Sequence, residues 1–163
     1  MDIALALYQP DIPQNVGAAM RLCACLGAGL EIIEPCGFVW DERKIRQSAM
    51  DYYDASKPVR HTSWRSFLDS YQGRRRIILL TTKTEKPYTG FAFAPGDILL
   101  TGRESAGVPE DVQRAADACL TIPMRPGLRS LNVVNAAAMV MGEAMRQTKG
   151  FYYESAIEKN GTF

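Results

Sequence analysis

The chain has 163 residues, 47% of them hydrophobic and 23% charged, which suits one globular domain with a real core. A net charge of +1 excludes a generic polycation, so any contact with nucleic acid has to come from local basic patches. No run of about 18 apolar residues is present, so no membrane span is expected.

Met1-Asp2-Ile3-Ala4-Leu5 lacks the charged start of a signal peptide and reads as the beginning of a strand, Ile3 to Leu7. Pro10 and Pro13 bound a turn. Asn15 to Leu26 then carries apolar residues at helical spacing (Val16, Ala19, Met20, Cys23, Leu26), with Gln14 or Asn15 as cap and Gly27 or Gly29 as stop. Leu30 to Ile33 is a second strand, ended by Pro35 and Gly37. A short charged helix follows near Asp41 to Ser48, then a brief strand at Val59 to His61. Ser63 to Tyr71 predicts a helix with Trp64, Phe67, Leu68 and Tyr71 inside. Ile77 to Leu80 is a strand, Lys83 to Gly96 a loop, Ile98 to Thr101 a strand. Pro109 to Ala115 is a short helix and Cys119 to Ile122 a strand. Leu131 to Gln147 is the last helix, and residues 1–150 form one domain with 151–163 as a loose tail. Strands alternate with helices, so the expected fold is α/β with a largely parallel sheet.

The last helix is apolar nearly all round and needs cover on several sides. In a domain this small a second subunit is the expected cover, giving a two-fold homodimer. The four cysteines, Cys23, Cys25, Cys36 and Cys119, form no CxxC pair, and His61 is the single histidine. No metal site is expected, and the thiols read as reduced and mostly buried, as in a cytoplasmic protein. Cys23 and Cys25 lie two apart on the predicted helix and point in different directions.

Two segments break from apolar strand into glycine, proline and small polar residues. They are Leu99 to Pro109, and Thr121 to Met124 continuing into Ser130 to Ala136. Such breaks at neighbouring strand ends can build one pocket from main-chain groups, because glycine lacks a Cβ. Gly102-x-Glu104-x-x-Gly107 matches neither G-x-G-x-x-G nor the P-loop, so a dinucleotide or phosphate-loop site is disfavoured. Ser130 or Asn132 can cap the last helix. Asn132 and Asn135 share a face, and as buried amides they need partners. Arg21 is the lone charge of its helix, either an arginine that snorkels to solvent or pairs with a carboxylate, or a functional residue. Its helix follows the first strand, at the carboxyl end of the sheet where open α/β domains place ligands. Most basic residues, including Arg74-Arg75-Arg76, read as solvated surface. Arg103, Arg125 and Arg129 flank the pocket segments and suit a phosphate-bearing substrate.

Asn15-x-Gly17-x-x-x-Arg21, Gly102-x-Glu104-x-x-Gly107-x-Pro109 and Ile122-Pro123-Met124 with Ser130-x-Asn132-x-x-Asn135 together resemble the three motifs of the SPOUT class of RNA methyltransferases. The nearer resemblance is to its TrmL subfamily, which methylates the wobble ribose of tRNA. Leu7 to Pro13, Arg21-Leu22-Cys23-Ala24, Ile32 to Phe38 and Asp51-Tyr52 look similar as well, so the likeness spans about residues 3 to 149. It implies a SPOUT-type knotted fold, whose C-terminal trefoil knot runs against the general rarity of knots. It implies S-adenosylmethionine as cofactor, held by Leu80, Thr81, Gly102, Glu104, Ile122, Met124, Ser130 and Asn132. It implies a homodimer around the last helix that holds the tRNA anticodon loop. Arg21 is then the residue nearest the 2′-hydroxyl, stabilising the forming alkoxide, with Asn15 orienting the site and Glu104 binding cofactor or fixing Arg21. Arg103 and Ala106 depart from the usual Pro and Arg, and Gly142 stands where relatives can carry an aromatic. Methylation of another tRNA or rRNA site, and a catalytically silent RNA-binding dimer, are the alternatives.

Overall fold

The structure, a computed structural model, describes residues 2–152. Six strands form one sheet: β1 (Ala4–Tyr8), β2 (Gly29–Ile33), β3 (Val59–His61), β4 (Ile77–Leu80), β5 (Ile98–Thr101) and β6 (Ala118–Leu120). Their order is β3-β2-β1-β5-β4-β6, and every neighbouring pair is parallel. The chain builds outward from β1 to β3, then returns to lay β5 against β1. That reversal makes a crevice at the carboxyl ends of β1 and β5, the place where open parallel sheets bind ligands.

Both faces are covered, as a parallel sheet requires. Leu5, Leu7, Ile32, Ile78 and Leu99 face a core shared with α1 (Pro13–Leu26), α2 (Glu42–Ala49) and α6 (Val133–Thr148). Ala4, Ala6, Tyr8, Ile77 and Leu100 face a second core with Phe67 of α4 (Trp64–Tyr71) and Val112 of α5 (Glu110–Ala115). A single turn, α3 (Tyr53–Ser56), lies between α2 and β3. The alternation along each strand is the period of two that puts successive side chains on opposite faces.

Several expectations change. Neither Gln14 nor Asn15 caps α1: Ile12 is the N-cap without a side-chain bond, and Pro13 takes the first turn. Proline is tolerated there because its missing N–H has no intrahelical partner to lose. Asn15 is thereby inside the helix and buried. Gly27 ends α1 at φ +67, as expected of a left-handed stop. Arg75 is half-buried and Arg76 exposed, and both also act as clamps. Arg75 Nε donates to the Gly96 carbonyl at 2.6 Å, and Arg76 donates twice to buried Asp97, at 2.7 and 2.8 Å. Of the thiols only Cys23 is buried, while Cys25 is exposed and Cys36 and Cys119 lie between. α6 buries one face (Val134, Ala137, Val140, Met141, Ala144, Met145) and leaves Met139 45% exposed. Of the expected tail, Phe151 packs against the first core; residues 153–163 lie outside the described residues. Among the described residues no helix is long and apolar enough to cross a membrane, and no cluster of three His, Cys, Asp or Glu fits a metal ion.

Candidate active site

The segment after β5 turns back on itself within five residues. Arg103 N donates to Gly107 O and Gly107 N to Arg103 O, both at 2.9 Å. A Cβ on Gly102 would lie 2.6 Å from the Gly107 carbonyl carbon, so the turn closes only because residue 102 has no side chain. Gly107 has φ +69, the left-handed region that glycine enters without cost. Gly17, of the first motif, answers a different need. A Cβ there would lie 2.4 Å from Ser48 Cβ, so this glycine lets α1 and α2 touch.

The turn presents Glu104 to the segment after β1. Its two oxygens accept from Asp11 N and from Asn15 Nδ2, each at 2.8 Å. Asn15 Oδ1 in turn accepts from Asn132 Nδ2 at 3.1 Å. Asn132 Oδ1 accepts from Val134 N and Asn135 N and so caps α6. One chain of bonds, Glu104–Asn15–Asn132, therefore joins all three motif segments. Asn132 caps the helix with its oxygen and meets Asn15 with its nitrogen, so the two readings of that residue were not exclusive. Asn132 and Asn135 are both exposed, so the expectation of buried amides fails, although Asn132 does find Asn15 as a partner.

Asp11 closes the rim. Its Oδ1 accepts from Arg103 at 2.8 Å, and its Oδ2 from the Ser105 hydroxyl at 2.6 Å. The Ser105 and Arg103 bonds hold the Asp11 carboxyl down at about 2. The Arg103 charge is thus met by Asp11. Arg129 lines the cavity and Arg125 is exposed.

These segments enclose a cavity of about 600 Å³, within the size range of small-molecule sites. Leu80, Thr81, Gly102, Glu104, Ile122, Met124, Ser130 and Asn132 all line it, and so does Asn15. Ile12, Thr101 and Leu131 also line it and were not singled out beforehand. Ile12 precedes α1, Thr101 ends β5 and Leu131 precedes α6, so only the tertiary fold brings them to one cavity. Arg21 is not in the lining. It is exposed, with its guanidinium carbon 5.2 Å from the centre of the Tyr52 ring. It sits six residues past Asn15, about 9 Å further along the helix. Glu104 is engaged by Asp11 and Asn15, so its partner is Asn15 and not Arg21. Gly142 has open space where a Cβ would stand.

The model of the SpoU rRNA methylase family matches residues 2–142. A relative from Beijerinckia indica, named tRNA (cytidine(34)-2'-O)-methyltransferase, is 58% identical over 144 residues, covering 88% of this chain and 90% of the relative. A relative of the same name from Escherichia coli K12 is 39% identical, covering 88% and 92%. A solved structure described as concerning the 2-OH methylation of C/U34 on tRNA superposes with TM-score 0.85 at 36% identity, over 91% of this chain and 97% of that one. The SpoU methyltransferase AviRb from Streptomyces viridochromogenes, in complex with AdoMet, superposes with TM-score 0.80 at 27% identity, over 90% of this chain and 60% of that one. With these matches spread over nearly its whole described length, the chain belongs to the SpoU rRNA methylase family.

Proposed function

We propose that this chain transfers a methyl group from S-adenosylmethionine to the ribose 2′-hydroxyl of the wobble nucleotide, cytidine or a modified uridine, in the tRNA anticodon loop. What carries the reading is that Asn15 and all eight positions expected to hold cofactor border one cavity. The relatives at 58% and 39% identity also share that activity in their name. The cavity suits the cofactor. Gly102 and Gly107 supply main-chain lining, Leu80, Ile122, Met124 and Leu131 supply apolar wall, and Thr81 and Ser130 supply hydroxyls. Held by these residues, S-adenosylmethionine would supply an electrophilic sulfonium methyl for the ribose 2′-oxygen, with the hydroxyl proton passing to water.

The chain's own part is positioning and charge stabilisation. Glu104 and Asn132 hold Asn15 from both sides, so Asn15 orients the site. A guanidinium donates and does not accept protons, so Arg21 stabilises the forming alkoxide. Since Arg21 lies outside the cavity of its own chain, it meets the ribose in the cavity of a second copy. That requires a homodimer, supported by the exposed Met139 and Leu131 of the α6 region. Residues 1–150 act as one domain, without a metal, and the tRNA substrate places the protein in the cytoplasm. We infer that the C-terminal segment threads through a loop as a trefoil knot, and the 81–97 loop lies beside it. Thr121 bonds Lys86 and Tyr88 of that loop, while Gln147 bonds Phe91 and Phe93.

The test is transfer of labelled methyl to bulk tRNA from cells lacking this protein, with products digested to nucleosides. Label in 2′-O-methylcytidine or a 2′-O-methylated wobble uridine, lost in Arg21→Ala, supports the reading. Label confined to rRNA, or tight cofactor binding with no transfer, overturns it. Mixing Arg21→Ala with Ser130→Ala protomers should restore part of the activity if Arg21 acts on the partner's cavity, and none if it acts on its own.

A further inference from the structure

The carboxyl end of β2 opens into a segment, residues 34–41, that the site described so far does not use. Phe38 and Trp40 are half-buried and stacked on each other, with centroids 6.3 Å apart and planes 23° from parallel. Val39 between them is 91% exposed. Arg60, just past Val59 on β3, lays its guanidinium carbon 4.4 Å from the centre of the Trp40 ring. Glu34 holds Arg60 there, accepting from its Nε at 2.6 Å. Beyond Trp40, Asp41 caps α2, and the first turn offers Arg43 and Lys44. Both are exposed, and their side chains make no ion pair among the described residues.

This segment is fastened to the cavity rim. Gly37 N donates to the Pro10 carbonyl at 2.9 Å. A Cβ on Gly37 would lie 2.5 Å from Oδ1 of Asp11, the carboxylate that holds Arg103. β2 and β5 flank β1 in the sheet. The aromatic segment and the cavity mouth therefore sit two strand spacings apart, roughly 10 Å, on the same end of the sheet.

We propose that Phe38, Trp40 and Arg60 form a stacking platform for an unpaired base next to the methylated nucleotide, with Arg43 and Lys44 meeting its phosphates. The proposal rests on the reading that the substrate is RNA. Single-stranded RNA is held by aromatic and guanidinium planes against splayed bases, in a sequence-tolerant way. Phe38 and Arg60 lie against the Trp40 ring, so the three form one stack and the base takes its outer face. The unmatched cations beside it favour a phosphate-linked base over an apolar protein surface. Such a platform pulls the loop open and delivers its neighbour to the cavity mouth.

The test uses Trp40 as its own reporter. Trp64, the other tryptophan, packs against Tyr8 and Phe67, so in Trp64→Phe the emission comes from Trp40. Titration with an unmodified anticodon stem-loop RNA, with S-adenosylhomocysteine present, should quench that emission. Trp40→Ala should raise the Kd for this RNA about tenfold, within the range set by stacking of one base. Trp40→Phe should recover most of the loss, and cofactor affinity should not move. Arg65→Ala, at an exposed position of α4, is the control and should bind as wild type. If wild type methylates the RNA while Trp40 emission stays constant and Trp40→Ala binds within twofold, the platform is refuted and the activity stands. A change of oligomeric state in Trp40→Ala would assign the patch to a subunit contact and also refute it. If wild type neither binds nor methylates the RNA, the functional reading fails first and the platform with it.

Discussion

The Asn15 side-chain amide donates to Glu104 across 89 positions of sequence, at 2.8 Å. This bond gives Glu104 its role. Both of its oxygens are spent on the chain's own donors, Asn15 Nδ2 and Asp11 N, so the carboxylate fastens the first motif to the second.

Because both partners of Glu104 are donors, both of its oxygens must accept. Glu104→Gln would turn one of them into an NH2 group facing an N–H. The expected cost is about 1–3 kcal/mol of stability, as for a part-buried donor left unpaired. Methyl transfer should fall further than cofactor affinity, because Asn15 is released while the cavity wall persists. Unfolding midpoints and single-turnover rates on the same variant check both, and wild-type values for both would refute the assignment.

Gly102→Ala and Gly107→Ala should differ. At position 102 a Cβ meets backbone at 2.6 Å, so the turn must open, at about 3 kcal/mol. At position 107 nothing lies within 4 Å of the Cβ, and the cost is the left-handed φ alone, about 1–2 kcal/mol. Gly102→Ala should abolish cofactor binding and Gly107→Ala should retain it, as read by equilibrium dialysis with labelled S-adenosylmethionine.

The Asp11 carboxyl is lowered from 3.8 to about 2 by Ser105 and Arg103. Its contribution to stability is complete above about pH 4 and is lost as pH falls through 2, since protonation removes the acceptor. Wild type should therefore lose stability between pH 4 and pH 2 more steeply than Asp11→Asn. Urea midpoints across that interval measure the difference, and parallel curves would show that the rim carries no such linkage.

Thiol labelling separates the cysteines. Burial pushes Cys23 up to about 12, and burial with the nearby Glu34 charge pushes Cys36 up to about 11. The thiolate is the reactive form. Alkylation at pH 8 should mark exposed Cys25 first, leave Cys36 slow, and reach Cys23 only after unfolding, as followed by mass spectrometry of peptides.

The strands and helices were legible in the sequence, since periodicity and the Gly and Pro stops are local properties that tertiary contacts here reinforce. So were the contributors to the cavity, because Gly102, Gly107 and the break at Pro123 mark where backbone is left bare. The partners of individual side chains were not legible. Asn15 read as a cap or an orienting residue, and only the β1–β5 pairing places Glu104 against it. Arg75 and Arg76 read as solvated surface, and their acceptors Gly96 and Asp97 emerge only with the 94–97 turn. Arg21 read as a pocket residue from its motif, whereas the helix geometry carries it past the cavity. Local pattern reports which residues are apolar, small or able to turn. Hydrogen-bond partners belong to residues 21 to 117 positions apart, and only the folded arrangement of sheet, turns and helices brings them within reach.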